Sequence, residues 1–361
     1  MPLTILSILI FIFILGLLIA VHEFGHYIAA IKSGIRVTEF SIGMGPKIWK
    51  KQKGETLYSL RALPIGGFCN LGEDIDPEPE DTRAFPNAKR RWQALVLAAG
   101  SVMNIVLGFF LLLALYLFLP SNLVVFSDPV IEKVYTQSDD PNWTQPLREG
   151  DRILRLNGHA INNFRDFDLY FPLTGDGPID LRVERDGQTV VLNRVSKTTL
   201  DGEKMYGISI GYQQKPTTLG ARVVSAFHAT GFNVRVVWVS LGELFGGRAK
   251  MTDLMGPVGM ANVVDSQIQN PEASVGEKVM NLVDLAALIA INLAVMNLLP
   301  IPGLDGSRLL IVAVEGIRRK RLNPKYVGYV HAAGMLLLFA FMIFIFFNDI
   351  IRWITGGPMI S

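Results

Sequence analysis

The chain has 361 residues, half of them hydrophobic and 18% charged, with a mean hydropathy of +0.34; a soluble domain carries about 25% charged residues. A net charge of +2 gives no reason to expect nucleic acid as a partner. The one cysteine, Cys69, excludes an intrachain disulfide and a cysteine-based metal cluster.

Residues 1–31 form the first predicted element, an apolar run from Leu3 to about Ile31. Crossing a bilayer takes roughly 20 apolar residues. No basic n-region or small-residue cleavage site accompanies the run, so a retained span is expected and not a cleaved signal peptide. Leu3 to Val21 holds no charged residue, and His22-Glu23-Phe24-Gly25-His26 follows directly. HExxH on a helix sets two imidazoles one turn apart on one face, as zinc ligands with a glutamate between them as general base. Three ionisable groups in one turn of an apolar helix are costly and by default mark function.

Residues 32–91 read as a β-hairpin region and a loop. Val37–Met44 and Thr56–Leu71 are strand-like, divided by the polar turn Lys50–Gly54. Pro64-Ile65-Gly66-Gly67 lets backbone approach another surface closely, and the acidic, proline-rich stretch Glu73–Asp81 is expected to be a loop. Residues 92–120 form a second span. Residues 121–214 read as a soluble α+β domain, with strands at Val130–Tyr135, Arg152–Leu156, Ile179–Arg185 and Thr189–Val195 and an Asp186-Gly187 hairpin turn. In 215–247, Arg222, His228, Arg235 and Glu243 interrupt the apolar pattern, so a helix lying in the interface is expected and not a span. Residues 248–276 are expected to be a linker. A third span, 277–318, is broken at Asn297-Leu298-Leu299-Pro300-Ile301-Pro302-Gly303-Leu304-Asp305-Gly306, where two prolines and a glycine interrupt the helix. Residues 319–326 form a short loop and 327–355 a fourth span.

Lys32 to Arg91 carries eleven Lys/Arg, and Arg308, Arg318, Arg319, Lys320, Arg321 and Lys325 follow the break in the third span. The extreme N-terminus has none, and the C-terminal flank has only Arg352. By the positive-inside rule both basic segments face the cytoplasm, with both termini and the 121–276 region outside. The expected fold is a polytopic α-helical membrane protein of about four transmembrane helices, with a membrane-associated β-hairpin region and an extracytoplasmic α+β domain.

A catalytic zinc needs a third protein ligand and an open position. His159 and His228 fall on the outer side. His331, near the cytoplasmic end of the last span, is a minor alternative to Asp305. Non-helical backbone at membrane depth is tolerated where it is buried or lines a wet cavity, and both the first and third spans run toward the cytoplasm. Asp305 therefore falls at a depth similar to that of His22 and His26. An N-cap after a proline break is the bland alternative for Asp305. A metal transporter would predict pseudo-symmetric halves, which the sequence lacks. A non-catalytic scaffold would have no use for costly buried charges.

These motifs resemble those of the site-2 proteases, specifically the bacterial regulator-of-sigma-E protease group of intramembrane zinc metalloproteases, over nearly the whole chain. His22 to His26 matches the family's HExxH, and Asn297 to Gly306 matches its Asn-x-x-Pro-x-Pro-x-Leu-Asp-Gly motif. Gly100-Ser101-Val102-Met103-Asn104 resembles its GxxxN motif, and Gly256-Pro257-Val258-Gly259 resembles the segment ahead of its third span. Leu147 to Gly158 is similar to the core of its PDZ domains. The resemblance implies one zinc ion per chain on His22, His26 and Asp305, with Glu23 activating water. It implies substrate contacts at Asn297, Pro300, Pro302 and Asn104, and a single extracytoplasmic PDZ domain in 121–214. It further implies a multi-pass protein of the cell inner or plasma membrane, its active site toward the cytoplasmic side. The expected partners are the lipid bilayer and single-pass transmembrane substrates, anti-sigma factors or signal-peptide remnants; no oligomeric state is implied.

Overall fold

The computed structural model describes residues 4–72, 81, 83–119, 127–135, 146–200, 203–214, 218–247 and 255–355. In chain order the elements are α1 (Ile5–Lys32), β1 (Glu39–Lys53), β2 (Thr56–Asn70), α2 (Arg90–Phe118), β3 (Ser127–Val134), β4 (Arg152–Leu156), β5 (His159–Ala160), α3 (Phe164–Tyr170), β6 (Ile179–Arg185), β7 (Gln188–Val195), β8 (Thr198–Leu200), β9 (Glu203–Met205), β10 (Ile208–Gln214), α4 (Leu219–Phe245), α5 (Pro257–Gln269), α6 (Val275–Asn297), α7 (Asp305–Arg318) and α8 (Pro324–Thr355). The chain divides into two compact units, residues 1–112 with 233–361, and residues 113–232.

In the first unit, α1, α6 and α8 are long and apolar enough to cross a membrane, as is α2, which begins there. These are the four expected spans. Apolar contact alone does not drive helices together in lipid, so close approach and polar contacts must do so. Gly25 of α1 lies against the Ala99 carbonyl of α2, and Gly108 of α2 lies against Ile291 of α6. Leu18 is buried with Ile289 and Ala290 of α6. At the start of α1, Asp265 of α5 accepts hydrogen bonds from the Thr4 amide (3.1 Å), the Thr4 hydroxyl (2.7 Å) and the Ser7 hydroxyl (2.8 Å). The most apolar stretch of α8 has no buried residue. Contacts that hold that helix include Gly334 against Pro302, and Asp349 accepting from the Gly256 and Gly259 amides at 3.3 and 2.8 Å. Those amides open α5, where unpaired N–H groups and the helix dipole favour an anion.

The hairpin is longer and more folded than its sequence indicates. Glu39–Ile42 has neighbours on both sides, its register rising against Leu57–Leu60 and falling against Asn70–Gly67, while Lys47–Lys53 pairs back onto Arg61–Thr56. Gly67–Asn70 is thus an outer segment, paired on one side within this sheet. The Glu39 carboxylate clips the layers, accepting from Lys47 (3.0 Å), Ser59 (2.7 Å) and Arg61 (2.9 Å). Burial pushes this carboxyl up, but the three donors outweigh it and hold it below the usual range.

In the second unit, a sheet of order β10-β3-β4-β6-β7, with β5 on β4, stands apart from the small β8-β9 ladder. β6 alternates buried and exposed residues, as a strand with one covered face must. Its Ile179, Leu181 and Val183 join Ile131, Ile153, Leu156 and Phe167 in the buried set. Asp186-Gly187 and Asn157-Gly158 both carry paired positive φ values (50° and 75°, 47° and 84°), the conformation a two-residue hairpin needs. Asp151, 1% exposed, is held by Arg185 through bonds of 2.8 and 2.7 Å.

Several expectations shift. The 248–276 linker contains α5, a buttress for α1 and α8 that a 13-residue, mostly small and polar segment does not announce. The α+β region holds α3 and strands β5 and β8 to β10 beyond those expected. Residues 219–245 form one helix, too polar to count among the four apolar ones. The expected loop Glu73–Asp81 falls, but for Asp81, outside the described residues.

Candidate metal centre

α1 supplies His22, Glu23 and His26, and α7 supplies Asp305 from its first turn. The break between α6 and α7 lets the latter happen. α6 ends at Asn297, and the backbone through Pro300 and Pro302 satisfies itself with short turns, Ile301 N to Leu299 O at 2.7 Å and Leu304 N to Ile301 O at 3.1 Å. α7 restarts at Asp305 with its carboxylate turned to α1.

His22 Nε2 stands 3.0 Å and His26 Nε2 3.2 Å from the same Asp305 oxygen, and the two Nε2 atoms are 3.2 Å apart. Tetrahedral zinc with bonds of about 2.0–2.2 Å sets neighbouring donor atoms roughly 3.3–3.5 Å apart. The three donors therefore have the chemistry and close to the spacing of one face of a zinc tetrahedron, and the residues fit that ion. Both histidines are nearly enclosed, at 6% and 7% exposure. His26 Nδ1 meets the Val96 carbonyl at 2.7 Å, which orients the ring and leaves Nε2 for a metal.

Gly100 explains how α2 comes so near. A Cβ there would collide with His26 Nε2 and stand 2.8 Å from His22 Nε2, so any other residue would occupy the ligand space itself. Glu23 points to the opposite wall, where its Cγ would be 3.2 Å from a Cβ on Gly67 and the Cys69 amide faces its carboxylate. A cavity of about 200 Å³ is lined by Ile19, His22, Glu23, Leu293, Asn297, Gly303, Leu304 and Asp305.

Of the residues singled out in the sequence, His22, Glu23, His26, Asp305 and Asn297 come together here. Asn297 Nδ2 lies 3.3 Å from His22 Nε2. Pro300 and Pro302 shape the break and do not line the cavity, and Asn104 is 0% exposed. His331 is not in the metal-capable cluster found among the described residues. Sequence reasoning missed the Val96 carbonyl, which no side-chain pattern reports. It gave Gly100 no place at the imidazoles, although its position four residues before Asn104 was visible.

Peptidase family M50 matches residues 10–341. The chain is a member of peptidase family M50, the site-2 proteases. Among its M50 relatives, a protein of Clostridium perfringens provisionally named a zinc metalloprotease is 35% identical over 339 residues, 92% of this chain and 95% of the relative. One of Clostridium acetobutylicum, named likewise, is 31% identical, covering 96% of this chain and 97% of the relative. The regulator of sigma-W protease RasP of Bacillus subtilis is 28% identical, covering 96% and 98%. This M50 chain is a zinc metalloprotease of polytopic membrane type.

Proposed function

We propose that this zinc metalloprotease hydrolyses peptide bonds within or near the transmembrane helices of single-pass proteins, with the zinc on His22, His26 and Asp305. The observation that carries the reading is the convergence of two Nε2 atoms and one carboxylate oxygen, with Glu23 facing the same cavity; the histidines and Glu23 sit on a helix apolar enough to span, and Asp305 opens the short helix that follows another. Zinc, when bound, supplies a water of lowered pKa and polarisation of the scissile carbonyl. Glu23 takes the water's proton and hands it to the leaving amide nitrogen. Asn297, at the mouth of the α6–α7 break, offers an amide to the substrate backbone, and Pro300 and Pro302 hold that break open. A substrate helix must unwind before its peptide bonds are reachable, and unpaired backbone in lipid is costly. The outer segment Gly67–Asn70, beside Glu23, supports pairing of the unwound stretch as an added strand.

The basic segments support a cytoplasmic site with both termini and residues 121–214 outside, that region serving as a PDZ domain and α4 lying in the interface. The name of the Bacillus relative supports anti-sigma factors as substrates within regulated intramembrane proteolysis; signal-peptide remnants are a second class. The test uses purified protein in detergent with a model transmembrane substrate. Glu23→Gln is expected to keep zinc and lower cleavage by about 10²–10⁴-fold; Asp305→Asn is expected to weaken zinc binding. Unchanged cleavage by Glu23→Gln rejects the mechanism, and zinc content untouched by His22→Ala, His26→Ala and Asp305→Asn rejects the ligand set.

A further inference from the structure

A neutral imidazole that offers Nε2 to a metal carries its hydrogen on Nδ1, and that hydrogen needs an acceptor. For His26 the acceptor is the Val96 carbonyl, 2.7 Å away. His22 Nδ1 is equally buried and has no hydrogen-bond partner among the described residues. A buried donor left so is destabilising, and the Nδ1 side of the ring is without an anchor.

An orphaned acceptor is buried on α2, one turn from the glycine that meets His22. Asn104 is 0% exposed, and neither its Oδ1 nor its Nδ2 has a partner among the described residues. Val96 meets His26, Gly100 meets His26 and His22, and Leu107 joins the cluster of Leu18. The contact thus moves toward the start of α1 as α2 proceeds. Asn104 sits one turn past Gly100 on the same face. Helical side chains lean back over the preceding turn, and here that turn is Gly100, which leaves the space open. A Cβ on Gly100 would be 2.8 Å from His22 Cε1, and Cε1 is bonded to Nδ1.

We infer that Asn104 is the positioning residue of His22: with zinc in the site, its Oδ1 accepts the Nδ1 proton, directly or across one water. It fixes the tautomer and the direction of the ring without touching substrate, so it replaces the substrate contact expected of this residue. The inference rests on His22 being a zinc ligand. A role in helix packing alone gives no account of an amide whose two ends, and a histidine nitrogen within a turn of it by register, all lack partners among the described residues.

The test measures zinc affinity, by competition with a chromophoric chelator, and ¹⁵N resonances of full-length protein labelled at its five histidines. Asn104→Leu is expected to weaken zinc by about 10–100-fold, the usual cost of losing an outer-shell partner, and to shift the Nδ1 resonance of His22. Asn104→Asp keeps an acceptor; it is expected to retain zinc and to move the same resonance further toward the hydrogen-bonded position. Unchanged affinity and resonance in Asn104→Leu overturns the inference, and a raised KM in that variant returns Asn104 to substrate contact. Equal zinc loss in Asn104→Asp and Asn104→Leu assigns it to packing and also overturns the inference. If Asn104→Leu does not fold, an unmoved resonance in Asn104→Asp overturns it alone. His22→Ala, run alongside, loses zinc whatever Asn104 does; if it does not, the ligand set fails and not the positioning role.

Discussion

Gly100 carries no chemistry of its own, yet a hydrogen is all that the two imidazoles leave room for at its Cα. Gly100→Ala is expected to push the ligand rings out of line and lower kcat by about 10²-fold, the scale of a 1 Å misplacement, with weaker zinc binding in chelator competition. Full activity in that variant would mean that α2 stands further off than described. At this scale much was legible: HExxH names its own three residues, since spacing along one helix fixes which side chains share a face. The Asn-to-Gly motif offered Asp305 but left His331 open, because a sequence does not say which of two distant residues turns toward a third. The Val96 carbonyl was invisible, as backbone acceptors carry no residue signature.

Helix contacts are set by a few polar groups at the ends of apolar rods. Burial pushes the Asp265 carboxyl up, and hydrogen bonds from Thr4, Gln269 and Ser7 outweigh it, holding it down at about 2, below its ordinary 3.8. A carboxyl with a depressed folded value stabilises fully above its unfolded value and loses that contribution as pH falls through the folded one. The junction of α1 with α5 is therefore expected to weaken between about pH 4 and pH 2. Asp265→Ala should lower stability at neutral pH by about 1.5–3 kcal/mol, the scale of hydrogen bonds to a charged group, and flatten the acid limb of the thermal-midpoint profile. An unaltered acid limb would remove Asp265 as its source. Asp349→Ala removes the acceptor at the start of α5 and is expected to cost a similar amount, read as a lower thermal midpoint in detergent. The apolar runs predicted all four helices long and apolar enough to span, but not α5, whose value lies in what it touches.

For the whole molecule, topology and metal content are the testable properties. With the basic segments inside, an impermeant thiol reagent should label Cys69 from the cytoplasmic face only; labelling from outside would invert the orientation. Zinc binds the folded site and scarcely the unfolded chain, so it stabilises by RT ln(1 + [Zn]/Kd), about 2.7 kcal/mol at a hundredfold excess over Kd. Chelation is expected to lower the thermal midpoint, and zinc to restore it in wild type but not in His26→Ala. A midpoint indifferent to chelation would separate the metal from the fold.

The sequence by itself determined the spans, the charge asymmetry and the residue types of the centre, because hydropathy and local spacing are properties of neighbouring residues. It also marked the Asp186-Gly187 turn of the second unit, whose residues can take φ values that others resist. Only the tertiary structure decided that the α6–α7 break delivers Asp305 to α1, and that Gly67–Asn70 forms the wall opposite Glu23. Only it seated Gly100 against the His22 and His26 rings. Those juxtapositions join residues 44 to 283 positions apart, and they depend on how closely backbones approach, which a one-dimensional pattern does not contain.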